Sequence, residues 1–401
     1  MPFYPSIRKM PLDMKTRTLG GLARLREQLD EEIPNRKVTE TLLLGTWNIR
    51  NFDDDRFNNG HRTTEDFFYI AEIISRFDII AVQELCEDIA PLDKVMKLLG
   101  RNYRYIVSDV TEGRPGNKER LAFIYDEDKV SFRGMTGELV LPDKMQIIDG
   151  EGDKEKRRQF SRTPFMAAFQ SGWFKFILTT VHIYFGENSG PKYERRVKEI
   201  RTVAKFLSKR ADRDVNKKEL GSHILVGDFN IKREGSPGDE ALEEEGFTIF
   251  RNREGTNKDQ NRFYDQISFK SKENQVQLAT DGSHGVLQFF DSIYRATDFD
   301  SYRIELLKSV RVKIKDFKRE KKSAEERKAR ARTEETKSKA EEKIQKKLDE
   351  IAEWTQLLTN DDKLKKYYLS TWRTFRASDH LPLWVELKID FSDEYLKNLT
   401  D

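Results

Sequence analysis

The stretch HILVGDFN at residues 223–230 predicts a buried β-strand that ends in a short polar turn. Five further apolar runs contain, or end in, a polar island of the same kind. In chain order, the six islands are TWNIRNF (46–52), VQELCED (82–88), TTVHI (179–183), GDFN (227–230), YDQI (264–267) and SDHLP (378–382). Together they offer carboxylates, amides and two histidines, which is the set needed to hold a hard cation and hydrolyse a phosphate ester.

The length and cysteine content limit the class of protein. The chain has 401 residues, which suits one large domain with additions or two domains. Its single cysteine, Cys86, excludes an intramolecular disulfide and is typical of a reducing compartment. The sequence has neither a membrane-length apolar stretch nor the apolar region of a signal peptide. We therefore expect a cytoplasmic protein that makes no membrane contact.

The pattern around the islands predicts the domain organisation. Residues 1–40 form an N-terminal extension, in which leucines at helical spacing predict an amphipathic helix over residues 18–32 that Pro34 ends. From residue 41 onward, short apolar runs alternate with helical patterns, including helices over residues 64–76, 91–99 and 191–209. This alternation predicts an α/β domain of two packed β-sheets flanked by helices, over residues 41–270 and 376–391. Residues 392–401 form a C-terminal tail.

A charged insertion separates the last island from the others. Within residues 300–360, the stretch 304–358 lacks glycine and proline, and residues 311–347 hold 16 Lys/Arg against 8 Asp/Glu. An apolar seam at its end predicts a long helix or a helical hairpin, and a partly disordered polar segment is the alternative. The seam residues are Ile344, Leu348, Ile351 and Leu358. Such an arm would bind nucleic acid through its charge, or else bind a partner protein or a second copy of the chain.

The islands supply specific candidates for the chemistry. Mg²⁺ prefers carboxylate oxygens, so Glu84 and Asp379 are the natural metal ligands. Asn48 and Asn230 can contribute amide contacts to the metal shell or the phosphate, and Asp228 can orient an attacking water. Each residue also has a plain structural explanation, because Asn and Asp after a strand are common turn formers. A histidine within a strand, as in TTVHI, would by itself fit a core position.

The order of the islands resembles the endonuclease/exonuclease/phosphatase superfamily, and pancreatic-type deoxyribonuclease most of all. The likeness spans residues 43–387. Its motifs are WNIRNF, VQELCED, KERLAFIYDEDKV, FSRTPF, VHI, GDFN, YDQI and SDHLP. The resemblance implies a four-layered α/β sandwich with the site at one edge of the two sheets. It also implies a divalent cation as cofactor, Mg²⁺ first and Mn²⁺ or Ca²⁺ as alternatives.

The resemblance also implies roles for individual residues. Asn48, Glu84 and Asp379 would bind the metal, and Asp228 and Asn230 would position the nucleophile and the phosphate. His380 would pair with Asp265, and His182 with Glu119. Arg162 would bind a phosphate oxygen. Two histidine–carboxylate pairs would provide an acid and a base, with the assignment between them left open. A guanidinium suits the task given to Arg162, because its fork of donors matches phosphate oxygens.

The chain departs from the deoxyribonuclease pattern in two ways. Those enzymes are secreted and disulfide-bonded, which a chain with one cysteine cannot be, and the second departure affects the expected grip on DNA. Cys86 and Asn117 stand where those enzymes carry an arginine and a tyrosine that enter the minor groove. The charged insertion and the basic run KEKRRQFSR at residues 154–162 would provide a different, electrostatic grip. We therefore expect a metal-dependent DNA endonuclease that nicks DNA and leaves 5′-phosphate and 3′-hydroxyl ends. RNA is the next candidate substrate, followed by inositol phosphates or lipids, on which a phosphatase or phospholipase-like enzyme would act.

Overall fold

The computed structural model describes residues 2–111, 117–149, 156–217, 222–271 and 275–397. The strands are β1 Thr41–Phe52, β2 Ile79–Leu85, β3 Tyr103–Val107, β4 Arg120–Asp126, β5 Ser131–Glu138, β6 Ile147–Asp149, β7 Lys156–Arg158, β8 Phe165–Ser171, β9 Phe174–His182, β10 Ser222–Asp228, β11 Thr248–Ile249, β12 Asp265–Ser271, β13 His284–Val286 and β14 Leu383–Lys388. The α-helices are α1 Leu12–Glu32, α2 Thr64–Ile74, α3 Ala90–Leu99, α4 Gly190–Lys217, α5 Pro237–Glu243, α6 Phe299–Arg330, α7 Glu334–Gln356, α8 Asp361–Tyr367, α9 Arg373–Arg376 and α10 Ser392–Lys397. Short 3₁₀ turns occupy Pro5–Lys9, Asp143–Met145, Phe289–Asp291 and Ala296–Asp298, and a π turn occupies Tyr368–Trp372.

The chain forms two compact units. The sheet unit comprises residues 1–53, 64–292 and 377–401, and the helical unit comprises residues 54–63 and 293–376. In the part of the chain that is described, no helix combines the length and apolar character needed to cross a membrane. The basic run at residues 154–162 is described from residue 156 onward, where β7 pairs with β6, and residues 154 and 155 lie outside the described part.

Two six-stranded sheets build the sheet unit. The first sheet has the order β13-β14-β1-β2-β4-β3, and the second has the order β11-β12-β10-β9-β8-β5. Each sheet is mixed, because β1 pairs in parallel with β2 and β9 with β10, whereas their other neighbours are antiparallel. The prediction of two packed mixed sheets flanked by helices is therefore confirmed.

Apolar side chains from both sheets fill the space between them. Leu44 and Phe123 of the first sheet and Phe176 and Val226 of the second are fully buried in one cluster. Helix α4 covers the outer face of the second sheet with apolar residues such as Ile200. On the other side, α2 lies beside β1, where the rings of Phe52 and Phe67 are 6.0 Å apart. The layers are thus helix, sheet, sheet and helix.

The helices match their predicted positions with differences at the ends. Helix α1 begins at Leu12, earlier than predicted, and ends before Pro34 as expected. Helix α4 continues to Lys217, beyond the predicted end at residue 209, because its buried apolar repeat extends to Ala211. Apolar spacing locates the middle of a helix more reliably than its ends.

The charged insertion forms a helical hairpin, which was one of the predicted alternatives. Thr333 caps the start of α7, where its hydroxyl accepts a hydrogen bond from the Thr336 amide at 3.3 Å. The predicted seam is partly wrong, since Leu348 is 41% exposed. Lys347 is buried instead, with its ammonium 3.1 Å from Glu320 on α6. A lysine can occupy such a position because its methylene stem packs like an apolar side chain.

Candidate active site

Residues from the strand ends of both sheets converge in one cluster. The first sheet and the loops before its strands supply Asn48, Glu84, Glu119, Asp379 and His380. The second sheet and its loops supply Arg162, His182, Asp228, Asn230 and Asp265. The contacts described below join the two sets, so neither sheet contains a complete site.

The carboxylate of Asp228 lies at the centre of this cluster. Its Oδ2 accepts a hydrogen bond from Asn48 Nδ2 at 3.0 Å and lies 3.4 Å from His182 Nε2 and 3.8 Å from His380 Nε2. Its Oδ1 accepts a hydrogen bond from the Asn230 backbone amide at 2.8 Å. Asp228 is only 2% exposed, so these contacts fix the orientation of the carboxylate.

His182 and Glu119 form the first histidine–carboxylate pair. Nδ1 of His182 lies 2.9 Å from Glu119 Oε2, which leaves Nε2 facing Asp228. Burial and the nearby charge of Arg162 oppose protonation of His182, but Glu119 and Asp228 outweigh them and raise its pKa. Burial would raise the pKa of Glu119, but the charges of His182 and Arg162 hold that pKa well below its usual range. Both shifts favour an imidazolium beside a carboxylate.

Arg162 is engaged with the same carboxylate. Its Nε and Nη2 donate to the two oxygens of Glu119 at 2.6 and 3.1 Å, and the side chain is only 8% exposed. Arg162 thus positions Glu119, and contact with a phosphate oxygen stays a prediction. Two positions depart from the deoxyribonuclease pattern. Of these, Cys86 is buried, and Asn117 Nδ2 donates a hydrogen bond to Glu119 at 3.2 Å.

His380 and Asp265 form the second pair. His380 Nδ1 lies 2.8 Å from Asp265 Oδ2, so Nε2 faces Asp228. Burial opposes protonation, but the carboxylates of Asp265 and Asp228 raise the pKa of His380 well above its ordinary value. Trp47 Nε1 holds the backbone of this segment by donating to the His380 carbonyl at 2.8 Å.

Backbone strain marks the position of Glu84. This residue has a φ of +60°, in the left-handed region that non-glycine residues seldom adopt. Its two carboxylate oxygens accept hydrogen bonds from Asn48 Nδ2 at 3.0 Å and from the Asn51 backbone amide at 2.8 Å. Strain of this kind is concentrated at functional sites, where the surrounding contacts enforce it.

The residues predicted as metal ligands fit a hard cation. Both amide hydrogens of Asn48 are donated, to Glu84 and to Asp228, and its carbonyl oxygen is buried without a hydrogen-bond partner among the described residues. That oxygen, with the carboxylates of Glu84 and the 38% exposed Asp379, provides the oxygen ligands that such a cation prefers. Asn48 lies in β1, Glu84 lies in β2 and Asp379 lies in the turn before β14. These three strands are neighbours in the first sheet.

A second group also lies within ligating distance of a common point. One ligand atom from each of Asp228, Asp265 and His380 lies within 4.8 Å of the others, a spacing compatible with a metal ion. Within this group, His380 already shares a hydrogen with Asp265, and both carboxylates are almost fully buried.

Several supporting residues lie within the islands but have no predicted role. Ser378 donates to the Asn48 carbonyl at 2.6 Å and accepts from the His380 amide at 3.1 Å, which ties SDHLP to β1. Gln83 donates to Thr180 of the second sheet at 2.8 Å. Their place inside the quoted motifs is the signal that would have identified them.

The comparison with known families agrees with this geometry. A family model described as the Endonuclease/Exonuclease/phosphatase family matches residues 45–264, which is more than half of the chain. The chain belongs to the endonuclease/exonuclease/phosphatase family. It is therefore a phosphoesterase by family, and the family's usual divalent cation fits the oxygen atoms of Asn48, Glu84 and Asp379 described above. No curated protein matches the sequence.

The chain is also similar to several solved structures. An endonuclease/exonuclease/phosphatase family protein from Bacteroides thetaiotaomicron is 17% identical, with a TM-score of 0.48, over 88% of this chain and 96% of its own. A mannosyl-6-phosphatase from Bacteroides thetaiotaomicron VPI-5482 is 18% identical, with a TM-score of 0.44, over 62% of this chain and 90% of its own. The human Nocturnin catalytic domain is 12% identical, with a TM-score of 0.38, over 62% of this chain and 85% of its own. These likenesses carry no information on the substrate.

Proposed function

We propose that this family member is a metal-dependent phosphodiesterase that cleaves nucleic acid, with DNA as the substrate and nicking as the reaction. The observation that supports this most is the placement of two histidine–carboxylate pairs around the single carboxylate of Asp228. Hydrolysis of a diester needs both a base for the attacking water and an acid for the leaving oxygen. The carboxylate of Asp228 is available as the base, and a histidine held by its own carboxylate is available as the acid.

The residues of the chain divide the work of hydrolysis. Asp228 orients the attacking water and accepts its proton, aided by the adjacent His182. His380 is held as a cation by Asp265, and its Nε2–H is available to the phosphoryl or leaving oxygen. Cleavage of the 3′-oxygen–phosphorus bond in this way leaves a 5′-phosphate and a 3′-hydroxyl.

Mg²⁺ is the cation that we propose for the site, with Asn48, Glu84 and Asp379 as its ligands. A bound divalent cation supplies charge neutralisation at the phosphate and polarises its oxygens. The carboxylate and amide oxygens of these residues favour Mg²⁺ or Mn²⁺ over softer metals. We also propose that the protein acts in the reducing cytoplasm, because its single cysteine cannot form an intramolecular disulfide.

A basic stripe on α6 favours nucleic acid as the substrate. Five exposed basic side chains recur at spacings of three and four residues along one face, over about 21 Å of helix. They are Lys308, Arg311, Lys315, Lys318 and Lys322. None of the five makes an ion pair with a described acidic residue, in contrast to Arg319, which contacts Asp316 at 3.0 Å. An unneutralised row of charges of this length suits the phosphates of a nucleic-acid backbone better than a small phosphorylated substrate.

Neutralising the stripe is expected to weaken DNA binding in a salt-dependent way. For the triple variant Lys315→Gln, Lys318→Gln, Lys322→Gln, the slope of log K against log salt should fall by about 2 to 3, because each phosphate contact contributes about 0.9. Fluorescence anisotropy with a duplex oligonucleotide measures this slope. The control replaces Lys363, Lys365 and Lys366 of the same unit, which should leave the slope unchanged. An unchanged slope in the stripe variant would leave a protein partner or self-association as the function of the arm.

Supercoiled plasmid is the most direct test of the proposed reaction. With Mg²⁺ or Mn²⁺, the protein should convert supercoiled plasmid to open circles, and EDTA or Glu84→Gln should prevent the conversion. End-labelling of the nicks should reveal 3′-hydroxyl ends. Parallel reactions contain structured RNA, inositol phosphates and lipid phosphodiesters. Cleavage of one of these by a folded protein that leaves the plasmid intact would overturn the DNA assignment and keep the phosphoesterase.

A further inference from the structure

A cationic cavity adjoins the proposed catalytic cluster. It has a volume of about 300 Å³, at the lower end of the range for ligand sites, and Asn230 is part of its wall. The start of α4 and the segment that follows β10 form most of the remaining wall. Asn230 also donates its backbone amide to Asp228, so a single residue separates the cavity from the central carboxylate.

The charge in this cavity is all of one sign. Arg196, Lys232, Arg233 and Arg262 line it, and the described lining residues include no acidic side chain. None of the four makes an ion pair with a described carboxylate. Burial lowers the pKa of Lys232, and the charges of Arg196 and Arg262 lower it further. The groups therefore repel one another in the absence of an anion.

Arg196 is the most informative of these residues. It is only 1% exposed, and its Nη2 donates to the Glu187 carbonyl at 3.0 Å. Its Nη1 is buried without a hydrogen-bond partner among the described residues. The rings of Phe185 and Tyr193 lie 5.4 and 4.9 Å from the guanidinium carbon and hold the group in place. A buried guanidinium that keeps a free donor is costly unless a ligand satisfies it.

We propose that the cavity binds a second phosphate of the substrate, next to the phosphate that is hydrolysed. This inference rests on the proposed function and makes it more specific. In a nucleic acid, the second group would be the phosphate of a neighbouring nucleotide. A small bisphosphate presents the same chemistry, and the experiment below distinguishes the two sources.

Dinucleotides with and without an extra phosphate test the subsite. TpT has one diester, whereas pTpT and TpTp carry a terminal phosphate on one side or the other. With Mg²⁺ present, we expect kcat/KM for one of the two phosphorylated dinucleotides to exceed that for TpT by about 10-fold or more. One or two charge-assisted hydrogen bonds to the added phosphate would stabilise the complex by this amount. In the variant Lys232→Met, Arg262→Met, this ratio should fall to about 1. The control Lys205→Met, Lys209→Met, which changes exposed lysines of α4, should keep it.

Two further measurements separate failure of the subsite from failure of the proposed function. Fructose 1,6-bisphosphate is compared with fructose 6-phosphate, and hydrolysis of the bisphosphate alone would keep the subsite but overturn the nuclease assignment. Calorimetric titration with inorganic pyrophosphate in EDTA gives a readout that does not depend on turnover. We expect the Kd to rise at least 10-fold in the Lys232 and Arg262 variant. An equal Kd, or a preference ratio that survives the double variant, would overturn the proposal.

Discussion

Replacement of His182 by alanine is expected to lower kcat/KM for a phosphodiester by about 10³-fold, within the range measured for loss of a general acid or base. The imidazole lies between Glu119 and Asp228, at 2.9 and 3.4 Å, and is buried in the cluster. Its loss removes a proton carrier and leaves two carboxylates without the cation between them. Hydrolysis of bis(p-nitrophenyl) phosphate measures the effect without relying on nucleic-acid binding.

The control for this experiment is another histidine of the sheet unit. His284 lies in β13, with its Nε2 2.8 Å from the Arg251 carbonyl and without contact to the cluster. The variant His284→Asn should retain nearly full activity. Thermal melting of both variants separates loss of chemistry from loss of fold. A folded His182→Ala protein that hydrolyses the diester at the wild-type rate would refute the catalytic role.

Replacement of Gly227 by alanine is expected to lower the free energy of unfolding by about 4 kcal/mol or more. Losses of this size result from severe steric clashes or backbone strain. Gly227 precedes Asp228 with a φ of +125°, and an added Cβ would lie 2.2 Å from the Val181 carbonyl oxygen. Val181 is its partner on the parallel strand β9, so the clash would separate the two strands that carry Asp228 and His182. Chemical denaturation measures the loss.

Gly100 provides the control because its φ is also positive but its surroundings are open. Its φ is +97°, and an added Cβ would meet nothing within 4 Å. Gly100→Ala should therefore cost only the backbone strain, about 1–3 kcal/mol. Equal losses in the two variants would mean that the close approach of β9 and β10 has no energetic consequence.

Most strands of the two sheets could be predicted from the sequence because they are short apolar runs with their own boundary residues. Strands β5, β7 and β13 were missed, because SFRGMTGE, KRR and HGV are not apolar runs. Helix ends were less predictable, as the longer α1 and α4 illustrate. The seam of the hairpin was misplaced at Leu348 because a search for apolar residues overlooks Lys347. That lysine packs its stem beside Phe317, whose ring centre is 4.7 Å from the ammonium, and places its charge near glutamates.

The identities of the candidate site residues were predictable, whereas several of their contacts were not. The motifs contain the residues that converge, but no motif shows that Arg162 of one sheet binds Glu119 of the other. That contact depends on how the two sheets face each other, which single-strand patterns do not encode. The cationic cavity was missed because Arg196 and Lys232 lie outside the islands, and only the folded backbone brings them together.

The pairing of β14 with β1 can form only after almost the whole chain has been made. These strands come from opposite ends of the sheet unit, and the hydrogen bond from Trp47 to His380 spans 333 positions. At about 5–20 residues per second, a ribosome needs roughly 20 to 70 s to extend the chain from one to the other. During that time β1 lacks its neighbour β14, and Asp265, once made, still lacks His380. The proposed catalytic site is thus expected to be complete only after the last strand of the sheet has been made.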